Sequence, residues 1–253
     1  KVRLCNFSAE ISQEDIVDDG KEAVHFYTVD AKLWGKQPLP KQEIHYSVFN
    51  GLTWVSKWGI KAVIEPGSTV RDSVRHYIQV NSSKVTTKTH YGHVGWREID
   101  GEWVYLHATG AIGTDQAVSV RLPKELEKYS FPPLPDFTPD KQKLSLRASL
   151  DLLDIGDRAV TLPLWCAVFL APLTSLLSPK PNFSIYLYGR SGTRKSTTAL
   201  LFLSHFGNFN SVESLSNFTD SITTLEQRGF VLSDTIHLID DFSPSSLKSE
   251  AMA

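Results

Sequence analysis

The chain has 253 residues, of which 41% are hydrophobic and 21% are charged, a composition typical of globular proteins rather than of disordered or fibrous ones. A net charge of −2 excludes a uniformly basic nucleic-acid coat, and two cysteines, Cys5 and Cys166, cannot form a disulfide framework or a zinc cluster. At about 150 residues per domain the length predicts two domains, and so few cysteines favour a reducing, cytoplasmic environment.

Residues 1–131 are predicted to form a β-rich α+β domain that contains at least one helix. Short runs of β-branched and aromatic side chains predict strands at residues 43–49 and 101–106. Between these strands, apolar residues at helical spacing predict a helix over residues 68–80.

The clearest turn in this domain lies within residues 95–106. Asp100 and Gly101 stand between two runs rich in aromatic and β-branched residues. Both residues suit the positive φ angles of a two-residue hairpin turn. We therefore expect two antiparallel strands here.

Charge in the N-terminal half is unevenly distributed. Residues 1–30 carry a net charge of −4, whereas residues 57–97 carry seven basic and two acidic residues, a net charge of +5. Basic groups beside aromatic ones can follow a nucleic-acid backbone and stack its bases, which predicts contact with single-stranded DNA. The alternative is a solvated helix face above buried aromatic residues. The predicted DNA contacts are Arg71, Arg75, Lys84 and Lys88, and the interleaved aromatic residues are Trp58, Tyr77, Tyr91 and Trp96.

A proline-rich linker is predicted at residues 132–140. Four of the 13 prolines fall within residues 131–139. Because proline fixes φ and removes a backbone donor, this segment should be extended. The second domain is then predicted to cover residues 141–253.

Two helices are predicted at the start of the second domain, at residues 141–153 and 162–177. The latter is the most apolar stretch of the chain, but Pro163 and Pro172 interrupt it. A helix that spans a bilayer needs about 20 residues. We therefore expect a buried helix and no membrane partner.

The remaining pattern is typical of an α/β nucleotide-binding sheet. An apolar strand is predicted at residues 183–188, followed by a glycine-containing loop and a helix over residues 196–206. A short helix is predicted at residues 219–227, and an apolar strand at residues 236–239 ends in two aspartates. The sequence thus predicts an α+β domain followed by an incomplete α/β core of the P-loop type.

The glycine-containing loop matches a phosphate-binding loop at every position but one. Such a loop reads Gly, four residues, then Gly-Lys-Ser or Gly-Lys-Thr. Its backbone N–H groups turn towards the phosphates, Lys195 would reach the β- and γ-phosphates of ATP, and Ser196 would hold Mg²⁺. The predicted cofactor-binding residues are Gly189, Arg190, Ser191, Gly192, Thr193, Arg194, Lys195, Ser196 and Thr197.

Arg194 is the departure from this pattern, because it replaces the second glycine. If the position needs a positive φ, a residue other than glycine costs about 1 kcal/mol there. The alternative interpretation is a basic turn that caps a helix and binds no phosphate.

Two acidic residues complete the predicted site. Asp240 and Asp241 follow the predicted apolar strand, and Asp240 lies 45 residues after Lys195. In a nucleotide-binding sheet, Asp240 would help to place Mg²⁺ and Asp241 would orient or deprotonate the attacking water. Paired acids after a strand are also common turn formers, so the prediction depends on both motifs occurring in order. The predicted catalytic residues are Lys195 and Asp241, and the predicted metal ligands are Ser196 and Asp240.

The chain resembles the mobile-element AAA+ ATPases catalogued as domain of unknown function 927. The most specific similarity is the stretch 92–113, because it is long and matches no generic motif. The other matching stretches are residues 16–20, 49–59, 64–75, 170–173, 189–197, 223–226 and 236–242.

The resemblance implies an AAA+ ATPase encoded by phages, plasmids or integrated cassettes, in some relatives an MCM-like replicative helicase. It implies a homo-oligomeric ring in which ATP hydrolysis drives movement along DNA. The polar sensor and the arginine finger of such a ring would lie beyond Ala253, so we expect the 253 residues alone to be a poor ATPase. Two alternatives remain open: an ATP-dependent assembly switch or scaffold on DNA without unwinding, and a small-molecule P-loop kinase.

Overall fold

The computed structural model describes residues 3–35, 37–133, 138–209, 211 and 216–241. The chain divides into two compact units, Lys1–Tyr91 and Gly92–Ala253. This division comes earlier in the chain than the predicted linker at residues 132–140, of which residues 134–137 lie outside the described part. Residues 92–131 belong to the second unit because their side chains share its apolar core, as Val94, Leu122 and Tyr129 do.

The first unit is a four-stranded sheet with helices packed against it. Its elements are β1 (Phe7–Asp18), β2 (Ala23–Leu33), β3 (Pro38–His45), α1 (Tyr46–Phe49), a 3-10 helix (Thr53–Lys61), α2 (Val70–Asn81) and β4 (Thr86–Tyr91). Strands β1, β2 and β3 form an antiparallel meander, and β4 pairs with β1 in parallel, giving the order β3-β2-β1-β4.

Helix α2 confirms the helix predicted over residues 68–80. Its Val74 and Ile78 are buried and pack with Phe7 and Val29 of the sheet in one apolar cluster. Their spacing of four residues places both side chains on one face of the helix. This spacing explains both why the sequence predicts a helix and how the helix packs.

The strand predicted at residues 43–49 is shorter than expected. Strand β3 ends at His45, and residues Tyr46–Phe49 form α1. His45 ends the strand because its side chain accepts a hydrogen bond from the backbone N–H of Ser47 and so caps the helix. The prediction of continued strand was therefore wrong after His45.

The second unit begins with a three-stranded antiparallel sheet in the order β5-β6-β7, formed by β5 (Gly95–Ile99), β6 (Glu102–His107) and β7 (Gly110–Ile112). The predicted hairpin is confirmed, since Asp100 and Gly101 connect β5 to β6 with φ angles of 52° and 85°. Both angles suit the type of turn that matches the twist of antiparallel strands.

Helices are the main regular structure in the described remainder of the second unit. They include the predicted helices at residues 141–153 and 196–206, and the predicted helix at residues 219–227 starts at Ile222, where Ser221 caps it. The elements are α3 (Pro139–Asp151), α4 (Arg158–Leu170) with a 3-10 continuation (Ala171–Leu176), α5 (Lys195–Leu203), β8 (Ser216–Asn217), α6 (Ile222–Val231) and β9 (Ile239–Asp240).

A buried polar contact joins three helical segments of this unit. Ser149 of α3 donates to Nε2 of His205 at 2.8 Å, and Trp165 of α4 donates to the Ser149 hydroxyl at 3.1 Å. His205 Nδ1 donates in turn to the Phe202 carbonyl at 2.8 Å. The directional bonds fix how α3, α4 and the 3-10 helix after α5 (Ser204–Phe206) meet.

The apolar helix predicted to be buried is largely exposed. Helix α4 and its continuation run over Arg158–Leu176 with a mean hydropathy of 1.8, yet only 11% of the apolar window is buried. In the described part of the chain this is one helix long and apolar enough to cross a membrane, a test that core helices of soluble proteins also pass. The prediction of burial was wrong, because α4 packs through one face, which includes Val168, and leaves Leu162 and Phe169 about half exposed.

The strand predicted at residues 183–188 is not formed. Within the described chain these residues belong to no strand, and Phe183, Ile185 and Tyr188 are exposed. A continuous apolar strand is typical of the centre of a parallel sheet, where neighbours cover both edges. The parallel pair β8–β9 has two residues in each strand and does not supply those neighbours.

The molecule is thus a mixed α+β protein with a β-rich N-terminal part and several helices, as the sequence predicts at this coarser level.

Candidate functional site

Two positions of the loop before α5 have a left-handed backbone conformation. Gly192 has a φ of 82° and Arg194 a φ of 57°. Arg194 therefore has the left-handed conformation that costs a residue other than glycine about 1 kcal/mol. The loop therefore adopts its turn despite the missing glycine.

Helix α5 begins directly after this turn, at Lys195. The first N–H groups of a helix have no partner within it, and among the described residues no side chain caps the α5 N-terminus at Arg194. Uncapped N–H groups and the positive end of the helix dipole together favour a bound anion. This is the local geometry on which a phosphate would rest.

Lys195 folds back over the loop. Its Nζ donates to the carbonyl oxygens of Gly189 and Arg190, each at 3.0 Å. The Thr193 hydroxyl donates to the same Arg190 carbonyl at 2.9 Å. These bonds hold the ammonium group against the loop backbone that the sequence assigns to the phosphates.

Ser196 meets the acidic end of the last described strand. Its hydroxyl donates to Oδ1 of Asp240 at 2.8 Å, although the two residues are 44 positions apart. Asp240 ends β9, which pairs in parallel with β8, and its carbonyl accepts the N–H of Phe218 at 3.1 Å. The structure therefore brings the two predicted metal ligands together.

Four of the other predicted site residues are exposed: Arg190, Ser191, Thr197 and Asp241. Asp241 follows β9 with a φ of 57°, so the backbone turns immediately after Asp240. Asp241 thus lies next to the candidate metal ligand in the chain.

The predicted DNA contacts all lie in the first unit. Arg71 and Lys84 are exposed, Lys88 lies on the exposed strand β4, and Arg75 is 3.6 Å from Asp72 in an ion pair on α2. These basic groups remain available to a polyanion, with the charge of Arg75 partly balanced.

The aromatic part of that prediction is wrong at Trp58. The Trp58 side chain is buried, where its ring packs edge-on against Phe7 and Trp54. It therefore contributes to the core and cannot stack on a base. Tyr77 is half exposed, whereas Trp96 belongs to the second unit.

Sequence reasoning missed a polar network next to the β8–β9 pair. Arg228 of α6 donates to Asp220 at 2.6 Å and lies 3.6 Å from Glu125, and Ser216 lies 2.7 Å from Nε2 of His237. Burial, and then the positive charge of Arg228, lowers the pKa of His237. No fixed spacing marks these residues as a group, because their contacts join separate segments.

The pair formed by Ser196 and Asp240 is the only candidate metal centre that the motifs predict. In the described part of the chain, no group of three or more histidine, cysteine, aspartate or glutamate side chains could hold a metal ion. A metal with few protein ligands must take its other ligands from substrate oxygens and water, as Mg²⁺ commonly does.

Comparisons of the chain with family models, with curated proteins and with solved structures find no match, so the family resemblance read from the sequence remains a prediction.

Proposed function

We propose that this chain binds ATP with Mg²⁺ at residues 189–197 and at Asp240. The observation that carries the proposal is the 2.8 Å hydrogen bond from the Ser196 hydroxyl to the Asp240 carboxylate. The first residue follows the lysine of the predicted phosphate-binding loop. The second ends β9, which is the part of the strand predicted at residues 236–239 that the structure forms, since residues 236–238 are not in a strand. Their contact is the arrangement expected for a hydroxyl and a carboxylate that serve one magnesium ion.

The residues around this contact fit a triphosphate. The uncapped N-terminus of α5 offers backbone N–H groups, and Lys195 offers an ammonium group at the same end of the helix. When phosphate oxygens enter, Lys195 exchanges its bonds to the Gly189 and Arg190 carbonyls for stronger, charge-assisted ones. Bound Mg²⁺ would neutralise phosphate charge, while Ser196 and Asp240 hold their oxygens towards it. Asp241 is the nearby carboxylate in the chain that can accept a proton from water.

The wider proposal is an AAA+ module of a mobile-element DNA replication helicase. In the oligomeric ring, hydrolysis would drive movement along DNA, and Arg71, Arg75, Lys84 and Lys88 would contact the single strand. This step is supported by the sequence resemblance and by the exposure of basic residues in the first unit. The alternative is a switch in which nucleotide binding assembles the protein on DNA without unwinding.

Nucleotide binding tests the core of the proposal. We expect a fluorescent ATP analogue to bind the 253-residue chain and to bind more tightly with Mg²⁺. Lys195→Ala should weaken binding about 10- to 100-fold, because a hydrogen bond to a charged group contributes about 1.5–3 kcal/mol. Lys143→Ala, at an exposed lysine of α3, is the matched control and should bind like the wild type.

Equal affinity of the Lys195→Ala and Lys143→Ala variants would reject the site. ATP hydrolysis by the assembled protein, measured with and without single-stranded DNA, separates the two functions. Stimulation by DNA that is lost in Lys195→Ala supports the motor. Nucleotide-dependent assembly without stimulated hydrolysis supports the switch.

A further inference from the structure

Asp234 is a buried carboxylate that joins three segments of the second unit. It lies shortly before β9 in the chain, and its residue is 9% exposed. Its Oδ1 accepts the backbone N–H of Ser175 at 2.9 Å, and its Oδ2 accepts the backbone N–H of Trp96 at 3.3 Å. Both carboxylate oxygens are therefore engaged by main chain, which is how a buried charge is compensated.

The segment around Asp234 is also held by two tyrosines of the second unit, of which Tyr105 lies in β6. The Tyr105 hydroxyl donates to the Asp234 carbonyl at 2.8 Å, and the Tyr129 hydroxyl donates to the Ile236 carbonyl at 2.9 Å. Burial raises the pKa of both tyrosines, so each keeps the proton that it donates. Val94 adds a backbone bond to Val231 at 2.9 Å.

The backbone at Gly95 lies in direct contact with the backbone at Ser233. A Cβ atom at Gly95, where φ is +99°, would lie 2.5 Å from the Ser233 carbonyl oxygen, which is closer than Cβ atoms approach other heavy atoms in proteins. Asp234 itself has a φ of 53°, which an aspartate tolerates better than most residues. The path of the chain into β9 is thus held by contacts with Gly95, Tyr105 and Tyr129 as well as by the two-residue pairing of β9.

We propose that Asp234 is a positioning residue, which with the β5–β6 hairpin fixes β9 so that the Asp240 carboxylate meets the Ser196 hydroxyl. This inference rests on the proposed function. It assigns a role to residues 92–113, which contain strands β5, β6 and β7 and match no generic motif. Trp96 contributes by donating from Nε1 to the Pro172 carbonyl at 2.7 Å, which ties the segment that carries Ser175 to the same hairpin.

Asp234→Asn tests the role with the smallest change in shape. An asparagine keeps one acceptor and tolerates the left-handed backbone, but it turns an NH₂ group towards a backbone N–H. We expect the Mg²⁺ concentration that half-saturates the nucleotide complex to rise about tenfold, as for groups that orient metal ligands. Affinity for trinitrophenyl-ATP in EDTA should stay within about twofold, because residues 189–197 are untouched.

Two further variants complete the test. Tyr105→Phe removes one bond to the same segment, and we expect a shift in the same direction of about threefold. Glu102→Gln is the matched control, since it makes the same acid-to-amide change at an exposed position of the same hairpin. The control should show the wild-type Mg²⁺ dependence. A purely structural role would lower thermal stability without separating the Mg²⁺ and EDTA measurements.

The outcomes distinguish the two proposals. If the wild type binds no nucleotide, the proposed function fails. If the wild type binds with a Mg²⁺ enhancement that Asp234→Asn leaves unchanged, the positioning role alone is overturned. Should Asp234→Asn fail to fold, as judged by circular dichroism, Tyr105→Phe decides, and an unchanged Mg²⁺ midpoint in that variant overturns the role.

Discussion

The hairpin β5–β6 and residues 183–188 are both predicted strands, and only the hairpin forms. The hairpin carries its own turn at Asp100 and Gly101, so each strand finds its partner a few residues away. Residues 183–188 have a strand-like sequence but must find their neighbours far along the chain. A segment with high strand propensity thus forms a strand only when a pairing partner is present. In a hairpin, each strand supplies the partner of the other.

Truncation of one aliphatic side chain in each stretch should have the most different effects on stability. Leu106 of β6 is 0% exposed and Ile185 is 40% exposed. Leu106→Ala should lower the free energy of unfolding by about 3 kcal/mol, because it removes buried methyl groups and leaves a cavity. Ile185→Ala should change it by less than about 0.5 kcal/mol. Urea unfolding measures both, and a large effect of Ile185→Ala would show that residues 183–188 are packed in solution.

Acidification should lower the stability of the hairpin, because the hairpin carries a buried histidine, His107. Burial lowers the pKa of His107 from its ordinary value of 6.5, and its Nδ1 accepts the N–H of Phe131 at 3.3 Å. The unfolded chain then binds more protons than the folded one, so stability falls as the pH drops through about 6.5 towards the lower folded pKa.

The pH effect is checked by urea unfolding of the wild type and of His107→Gln at about pH 7.5 and about pH 5.5. His107→Gln should reduce the loss of stability on acidification, because the titrating group is gone. His76→Gln, at an exposed histidine of α2, is the control and should retain the wild-type loss. An equal loss in His107→Gln and the wild type would contradict the prediction.

The smallest effect is expected at the loop that follows residues 183–188. Arg194→Gly should raise the free energy of unfolding by about 1 kcal/mol at most, because glycine adopts the φ of 57° without strain. Thermal unfolding measures the change, and Arg194→Asn should fall between the two. A loss of stability in Arg194→Gly would mean that the arginine side chain makes a compensating contact.

Local signals predicted the fold where structure is local. The turn at Asp100, the stripe of α2 and the helix that begins at Lys195 each depend on a few neighbouring residues, and all three are present. The contact between Ser196 and Asp240 was predictable as well, because each motif assigns its residue to the same ion.

The missed features depend on distant segments. The exposure of α4 depends on which elements cover it, and its composition alone does not reveal them. Asp234 and Arg228 act through hydrogen bonds to residues far away in the chain, with no repeat or spacing to mark them. His45 ends β3 because its side chain caps α1, and the strand-like sequence around it does not indicate this cap.

The exposed residues 183–188 also have a consequence for the solubility of the chain. The six-residue window FSIYLY combines high β-propensity with no charge and no proline, the composition of segments that aggregate by cross-strand stacking. Lys180 and Pro181 precede it and Arg190 follows it closely, and such residues beside an apolar window oppose fibre growth. Neutralising the charges of Lys180 and Arg190 is therefore expected to favour precipitation of a chain that is still folded.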